Sequence, residues 1–222
     1  MNFNLAIDGP AGAGKSTIAK KIAKQLGFIY VDTGAMYRAM ALYFLRNHIE
    51  ASDSTRIEAA CKNADITIEY RDGDQFVILN GENVNGLIRT EEVGNMASAS
   101  SVNKAVRLKL VELQQALAAK ENVVMDGRDI GTYVLPKADL KIYLTASTGE
   151  RARRRWTELK EKGLTADLEE IEKDIIERDT RDMNREFAPL RQAEDAVYLD
   201  SSELTIDEVV QQILDLYRSR VK

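Results

Sequence analysis

Residues Gly9-Pro10-Ala11-Gly12-Ala13-Gly14-Lys15-Ser16 form a glycine-rich loop between the apolar run Asn4–Asp8 and the helical pattern Thr17–Leu26. Glycines there let successive backbone N–H groups turn inward around a phosphate, and a helix starting near Lys15 aims its positive end at the same charge. With strand before and helix after, the segment reads as a phosphate-binding loop for a nucleoside triphosphate, not a turn that merely packs closely. The expected ATP contacts are Gly9, Pro10, Ala11, Gly12, Ala13, Gly14, Lys15, Ser16 and Thr17. Lys15 would reach the β- and γ-phosphates as a catalytic cation, and Ser16 would offer its hydroxyl to Mg²⁺.

Such a loop needs a sheet behind it. Short apolar runs at Asn4–Asp8, Phe28–Val31, Asn122–Met125, Leu140–Leu144 and Ala196–Leu199 show little alternation, as expected of parallel strands covered on both faces. Between them, Val102, Val106, Leu110, Leu113 and Leu117 recur at helical spacing. Thr205 with Glu208 predicts a capping box ahead of the stripe Ile206, Val209, Val210, Ile213, Leu214 and Tyr217. The pattern is α/β, doubly wound, with a central parallel five-stranded sheet between helices. One stretch breaks it. Ile66–Tyr70, Gln75–Leu79 and Glu82–Val84, joined by turns at 71–74 and 80–81, read as a small antiparallel insert. A second exception is 147–163, where Arg151, Arg153, Arg154 and Arg155 crowd a helix too polar for a core. The expectation is a single kinase-like domain over 1–222, with a core of about 1–59, 96–146 and 164–222, an insert of about 60–95 and a lid of about 147–163.

Composition limits the partners. The net charge of −5, from 31 basic and 36 acidic residues, counts against an obligate nucleic-acid binder. The lone cysteine, Cys61, rules out an intrachain disulfide and is expected to be structural. No apolar stretch has membrane-spanning length, and Met1–Asp8 lacks the basic region of a leader, so a cytoplasmic protein that engages neither membrane nor nucleic acid is expected. The base-reading Asn-Lys-x-Asp tetrad of guanine-nucleotide switches is missing, and the many arginines favour a small kinase that encloses its acceptor.

Those arginines fall where strand and helix ends would face the phosphate loop. Arg38 follows the second strand, Arg128 the third, and Arg178, Asp182 and Arg185 continue the stripe Leu168, Ile171, Ile175 of a later helix. The same spacing also permits a surface salt-bridge ladder. Taken together, the phosphate loop, Val31-Asp-Thr-Gly-Ala-Met-Tyr-Arg38, Asp126-Gly-Arg-Asp-Ile-Gly-Thr132 and Glu177-Arg-Asp-Thr-Arg-Asp-Met-Asn-Arg185 closely resemble the bacterial cytidylate kinases, in order and over essentially the whole chain. Adenylate- and uridylate-type kinases usually carry Asp-Gly-Phe-Pro-Arg where this chain has Asp126-Gly-Arg-Asp129. The 60–95 insert is also similar to that family's extended nucleoside-monophosphate domain.

The resemblance implies transfer of a phosphoryl group from ATP, with Mg²⁺, to CMP or dCMP, by a monomer with the P-loop kinase three-layer fold. By resemblance Thr33 lies in the acceptor site, Arg38, Arg128 and Arg185 hold the acceptor phosphate, and Ser98, Arg107 and Asp129 read cytosine. Arg178 and Asp182 fall at the sugar, and Arg151, Arg154 or Arg155 closes over the ATP phosphates. Arg128 and Arg185 join Lys15 as catalytic cations. Asp126 is placed either as a water-mediated Mg²⁺ partner or as a carboxylate that fixes Arg128. An acceptor phosphate is already ionised near neutral pH, so the lone His48 is not needed as a base. The rival readings are a kinase for UMP or another small acceptor, and a nucleotide-driven switch whose basic helix, a solvated face or an RNA patch in that case, grips RNA.

Overall fold

The computed structural model describes residues 2–71 and 73–221; Asp72, in the expected 71–74 turn, lies outside them. Five strands, β1 (Asn4–Asp8), β2 (Ile29–Asp32), β6 (Val123–Gly127), β7 (Leu140–Thr145) and β8 (Val197–Asp200), form one sheet in the order β2-β6-β1-β7-β8. Every pairing in it is parallel. Alternate residues of the central strands feed two separate cores. Ala6, Val123 and Met125 pack on one face against α2 (Thr33–Arg46) and α5 (Lys104–Lys120). Leu5, Ile7 and Val124 pack on the other against α1 (Lys15–Leu26) and α8 (Ile206–Arg220). This explains the lack of alternation in the central strands, both faces of which are covered; the edge strand β8 buries only Leu199.

The predicted helices start where their caps permit. Asn103 accepts from the Ala105 N–H and opens α5, so Val102 falls outside the helix and is 43% exposed, while Val106 and Leu110 are buried as the stripe requires. The Thr205–Glu208 capping box forms at the head of α8. In α7 (Leu168–Asn184), Leu168 is exposed and Ile171 only half-buried, so of the stripe Leu168, Ile171, Ile175 only Ile175 is core.

The smaller sheet is antiparallel, β3 (Ile66–Arg71), β4 (Asp74–Leu79) and β5 (Glu82–Asn83), in that order. It lies between α3 (Ser54–Asn63) and α4 (Glu91–Ser100) in the chain. Its apolar side is continuous with the main core, since Ile66, Val77, Leu79 and Val84 pack in the same cluster as Met36 and Met40 of α2. Polar contacts tie it to the open edge of the parallel sheet. The Gln75 side chain accepts from the Asp32 N–H at 2.9 Å and donates to the Asp32 carbonyl at 3.2 Å, and the Tyr70 hydroxyl donates to the Tyr30 carbonyl. The arginine-rich segment forms α6 (Thr148–Glu161), packed against α7, with only Arg151 and Ala152 buried.

Candidate active site

The phosphate loop sits at the carboxyl end of β1. Gly9 has φ of +149°, and a Cβ there would lie 1.9 Å from the Leu144 carbonyl oxygen, so the chain passes too close to β7 for any side chain. Gly14, at φ +82°, supplies the left-handed residue that opens α1. Lys15 is buried and donates to the Pro10 carbonyl at 2.6 Å, curling back over its own loop. Burial, with Arg128 close by, pushes its amine down to about 7.

The end of β6 meets this loop. Asp126 accepts from the Ser16 hydroxyl at 2.8 Å and from the Tyr30 hydroxyl at 2.9 Å, and its carbonyl accepts from the Thr33 hydroxyl. Burial, reinforced by Asp32, pushes the Asp126 carboxyl up to about 6. Asp126 thus lies beside Ser16, while Arg128 donates to Asp182 at 2.9 Å. Among the described residues no cluster of three or more His, Cys, Asp or Glu could cage a metal. Ser16 and Asp126 nonetheless present adjacent hard oxygens, which suits an ion that takes most of its ligands from phosphates and water.

Charged groups crowd the other half. Asp182 also faces Arg185 at 3.4 Å, and both are buried, so this part of the helix is not a solvated salt-bridge ladder. Arg107, 1% exposed, donates to Asp129 at 2.5 Å and lies over the Tyr37 ring at 5.4 Å. Arg185 approaches the second Asp129 oxygen at 3.4 Å. Arg38 and Arg89 both reach the same oxygen of Asp32, at 3.3 and 2.7 Å, and Asp32 also caps α2 through the Ala35 N–H. Buried Nε of Arg38 and Nη2 of Arg185 have no hydrogen-bond acceptor among the described residues. Burial lowers the pKa of both guanidinium groups, the expected cost of desolvating a cation. Arg178 lies half-exposed, bonded to Asp174 and to Asn95 at 2.6 Å, and Ser98 accepts from Arg181 at 2.6 Å.

The three arginines expected over the triphosphate separate into two groups. Arg151 is buried and four of its five N–H donors are committed: to the carbonyls of Ala146 and Ala11, to Thr148 and to Asp179. These bonds tie α6 to the phosphate loop, and Arg151 lines the cleft beside it. Arg154 pairs with Glu150 and with Ser201, and Arg155 with Glu158 on the helix surface.

One cleft of about 960 Å³ is lined by all of the sequence-predicted residues except Gly9 and Pro10, which lie behind it. It runs from Arg154 and Arg155 over the phosphate loop to Ser98, Arg107 and Asp129. Four further contributors escaped the sequence reading. Tyr37 lies beneath Arg107, and Arg89 reaches Asp32. Asp179 holds the Ala11 N–H at 3.0 Å. Asp8, buried, accepts from the Ile130 and Gly131 N–H groups at 2.8 and 2.7 Å, where a π-helical turn (Ile130–Val134) follows Asp129. Tyr37 and Asp179 lie within the quoted motifs and Asp8 adjoins the phosphate loop, so these three carried some signal; Arg89 had none.

Comparison with known proteins places the cleft in context. The family model described as cytidylate kinase matches residues 5–219. A cytidylate kinase of Caldicellulosiruptor bescii is 53% identical over 99% of this chain and 97% of its own. One of Lactobacillus gasseri is 49% identical over 100% of this chain and 97% of its own. Among solved structures, a gluconokinase from Sinorhizobium meliloti superposes with a TM-score of 0.51 over 98% of this chain and 93% of its own, at 14% identity, a likeness of fold alone.

Proposed function

As this chain belongs to the cytidylate kinase family and is a nucleoside-monophosphate kinase acting on CMP, we propose that it moves the γ-phosphoryl group of ATP to CMP or dCMP, releasing ADP and CDP or dCDP. The observation that carries this reading is the single cleft that brings Lys15 of the phosphate loop together with Arg38, Arg128 and Arg185. An acceptor phosphate oxygen attacks the γ-phosphorus while the bond to the β,γ-bridging oxygen breaks, and the pair of electrons leaves with ADP. No proton need be removed first, so the work is positioning and charge stabilisation.

The backbone and side chains of Gly12 to Thr17 bind the triphosphate, with Lys15 on its outer oxygens. Ser16 and Asp126 would hold Mg²⁺ brought with ATP, and the ion would supply neutralisation of phosphate charge. The unpartnered Arg38 Nε supports an anionic ligand there, since a buried guanidinium donor without an acceptor is costly. Asp129 accepts from the cytosine amino group, while Arg107 and Ser98 donate to its ring acceptors. Uracil would turn a carbonyl toward Asp129, and a polar site of this kind rejects such a mismatch strongly. Arg178 and Asp182 face the sugar. Arg154 and Arg155 close over the phosphates and exclude water, with residues 147–163 as lid and 60–95 as the unit that completes the acceptor side.

No helix among the described residues is long and apolar enough to cross a membrane, and we place the enzyme in the cytoplasm as a monomer. ADP formation with Mg·ATP against CMP, dCMP, UMP and AMP, with Asp129→Ala alongside, tests the proposal. Turnover of CMP and dCMP that is disproportionately lost in the variant is expected; comparable turnover of UMP, or none of any pyrimidine, would overturn it.

A further inference from the structure

Ser98 of α4 and Arg181 of α7 are separated by 83 residues in the chain, yet Arg181 Nη1 lies 2.6 Å from the Ser98 Oγ, the guanidinium donating. A hydroxyl has one hydrogen to give and two lone pairs to receive, whereas a guanidinium can only give. The Arg181 bond therefore occupies a lone pair of Ser98 and leaves its hydrogen to point elsewhere. Ser98 lines the cleft and Arg181 does not. Its other near neighbour contact is a carbonyl, Ser98 O, which accepts from the Ser101 hydroxyl and does not engage Oγ.

From this geometry we propose that Arg181 is a positioning residue for base recognition: it sets Ser98 as a hydrogen-bond donor and holds it at the base-reading end of the cleft. This rests on the reading in which Ser98 donates to the acceptor's base. The polarity matters, because a free hydroxyl can turn to accept as readily as to donate, and would meet a ring acceptor or a ring N–H with equal ease. A hydroxyl already receiving a cationic donor has one lone pair taken and its hydrogen free, which biases it toward donating and makes it the stronger donor. Arg181 thus acts on the base through Ser98 without touching it. A neighbouring contact sets the same two helices in place independently, since Arg178 Nη2 donates to Asn95 Oδ1 at 2.6 Å; loss of the Arg181 bond leaves α4 and α7 still joined.

The test is a double-mutant cycle with Ser98→Ala, Arg181→Met and both together, reading KM for CMP, KM for ATP, kcat and the melting temperature of each. Removing a charge-assisted hydrogen bond predicts a rise in KM for CMP of about tenfold in Arg181→Met, with KM for ATP unchanged and kcat within about twofold, since phosphoryl transfer is remote from the base. In the Ser98→Ala background the Arg181 substitution should add almost nothing. Arg181→Lys, which retains a donor, should recover part of the loss and guards against a folding defect in Arg181→Met. If Ser98→Ala leaves KM for CMP unchanged, the base-reading role of Ser98 fails and this inference falls with it. If Ser98→Ala raises KM but Arg181→Met does not, or if the two effects add fully, Arg181 merely staples two helices and the inference alone is overturned.

Discussion

The Arg151 guanidinium and the Asp179 carboxylate meet at 2.6 Å in the interior, and between them they hold both backbone groups of Ala11: Arg151 donates to its carbonyl at 2.7 Å and Asp179 accepts its N–H at 3.0 Å. A residue of the phosphate loop is thereby gripped from α6 and α7 together.

Substituting one member of that pair strands the other charge. Arg151→Met should cost about 3–5 kcal/mol of stability, as for other buried ion pairs broken on one side, and should raise KM for ATP because Ala11 loses its anchor. Thermal melts beside ATP titrations check this. An unchanged melting temperature with slower turnover would instead make Arg151 a mobile phosphate ligand.

Gly9→Ala puts a methyl carbon 1.9 Å from a backbone carbonyl of β7, and backbone cannot step aside as a side chain can. We expect a loss beyond about 4 kcal/mol or no soluble protein. Gly73→Ala has only its φ of +83° to contend with and nothing within 4 Å, so about 1 kcal/mol is expected. Soluble yield and denaturant midpoints of the two variants make the comparison; equal losses would refute the close-approach argument.

Lys15 makes nucleotide binding pH-dependent. With its amine pushed down to about 7, the free enzyme loses that proton as pH rises above neutrality, while a bound polyphosphate favours the ammonium. Binding of ATP at pH 8 should therefore take up protons, and its affinity should fall as pH rises from 7. Calorimetry in buffers of different ionisation enthalpy measures the uptake, which Lys15→Met should abolish. The stability sign is separate: the unfolded lysine, near its ordinary 10.5, holds more protons between pH 7 and 10.5, so the burial penalty present below pH 7 is relieved as pH rises.

Asp8→Asn leaves the phosphate loop's sequence intact but turns an amide N–H₂ toward one of two backbone donors, Ile130 or Gly131, that Asp8 now accepts. The cost of the unpaired donor is about 1–3 kcal/mol, and the strain falls on the loop carrying Arg128 and Asp129. Turnover with CMP should drop further than the melting temperature explains, and preference for CMP over UMP should narrow. A melting shift with an unaltered preference would reduce Asp8 to a packing role.

Features set by local chemistry were legible in the sequence. The glycine loop, the strands covered on both faces and the Thr205–Glu208 box each depend on a few adjacent residues. Distant pairings were not. Asp8 and Ile130 are 122 residues apart, and Ala11 and Asp179 168 apart, so no window could reveal them. Arg151, Arg154 and Arg155 are indistinguishable as letters, and only burial separates the anchor from the two that face the cleft mouth. Val102 fits the helical stripe but lies before the Asn103 cap, because a side-chain bond to the Ala105 N–H outranked periodicity.

The clasp between Gln75 and Asp32 also covers an edge of the parallel sheet. β2 ends the parallel sheet on one side, and an unpaired strand rim is a template on which a second molecule can dock strand to strand. Here a glutamine amide imitates the missing neighbour, satisfying both main-chain groups of Asp32, and the Tyr70 hydroxyl takes the carbonyl of Tyr30. The rim beside the cleft is capped by side chains in place of a further strand, which leaves fewer main-chain groups there for another strand to pair with.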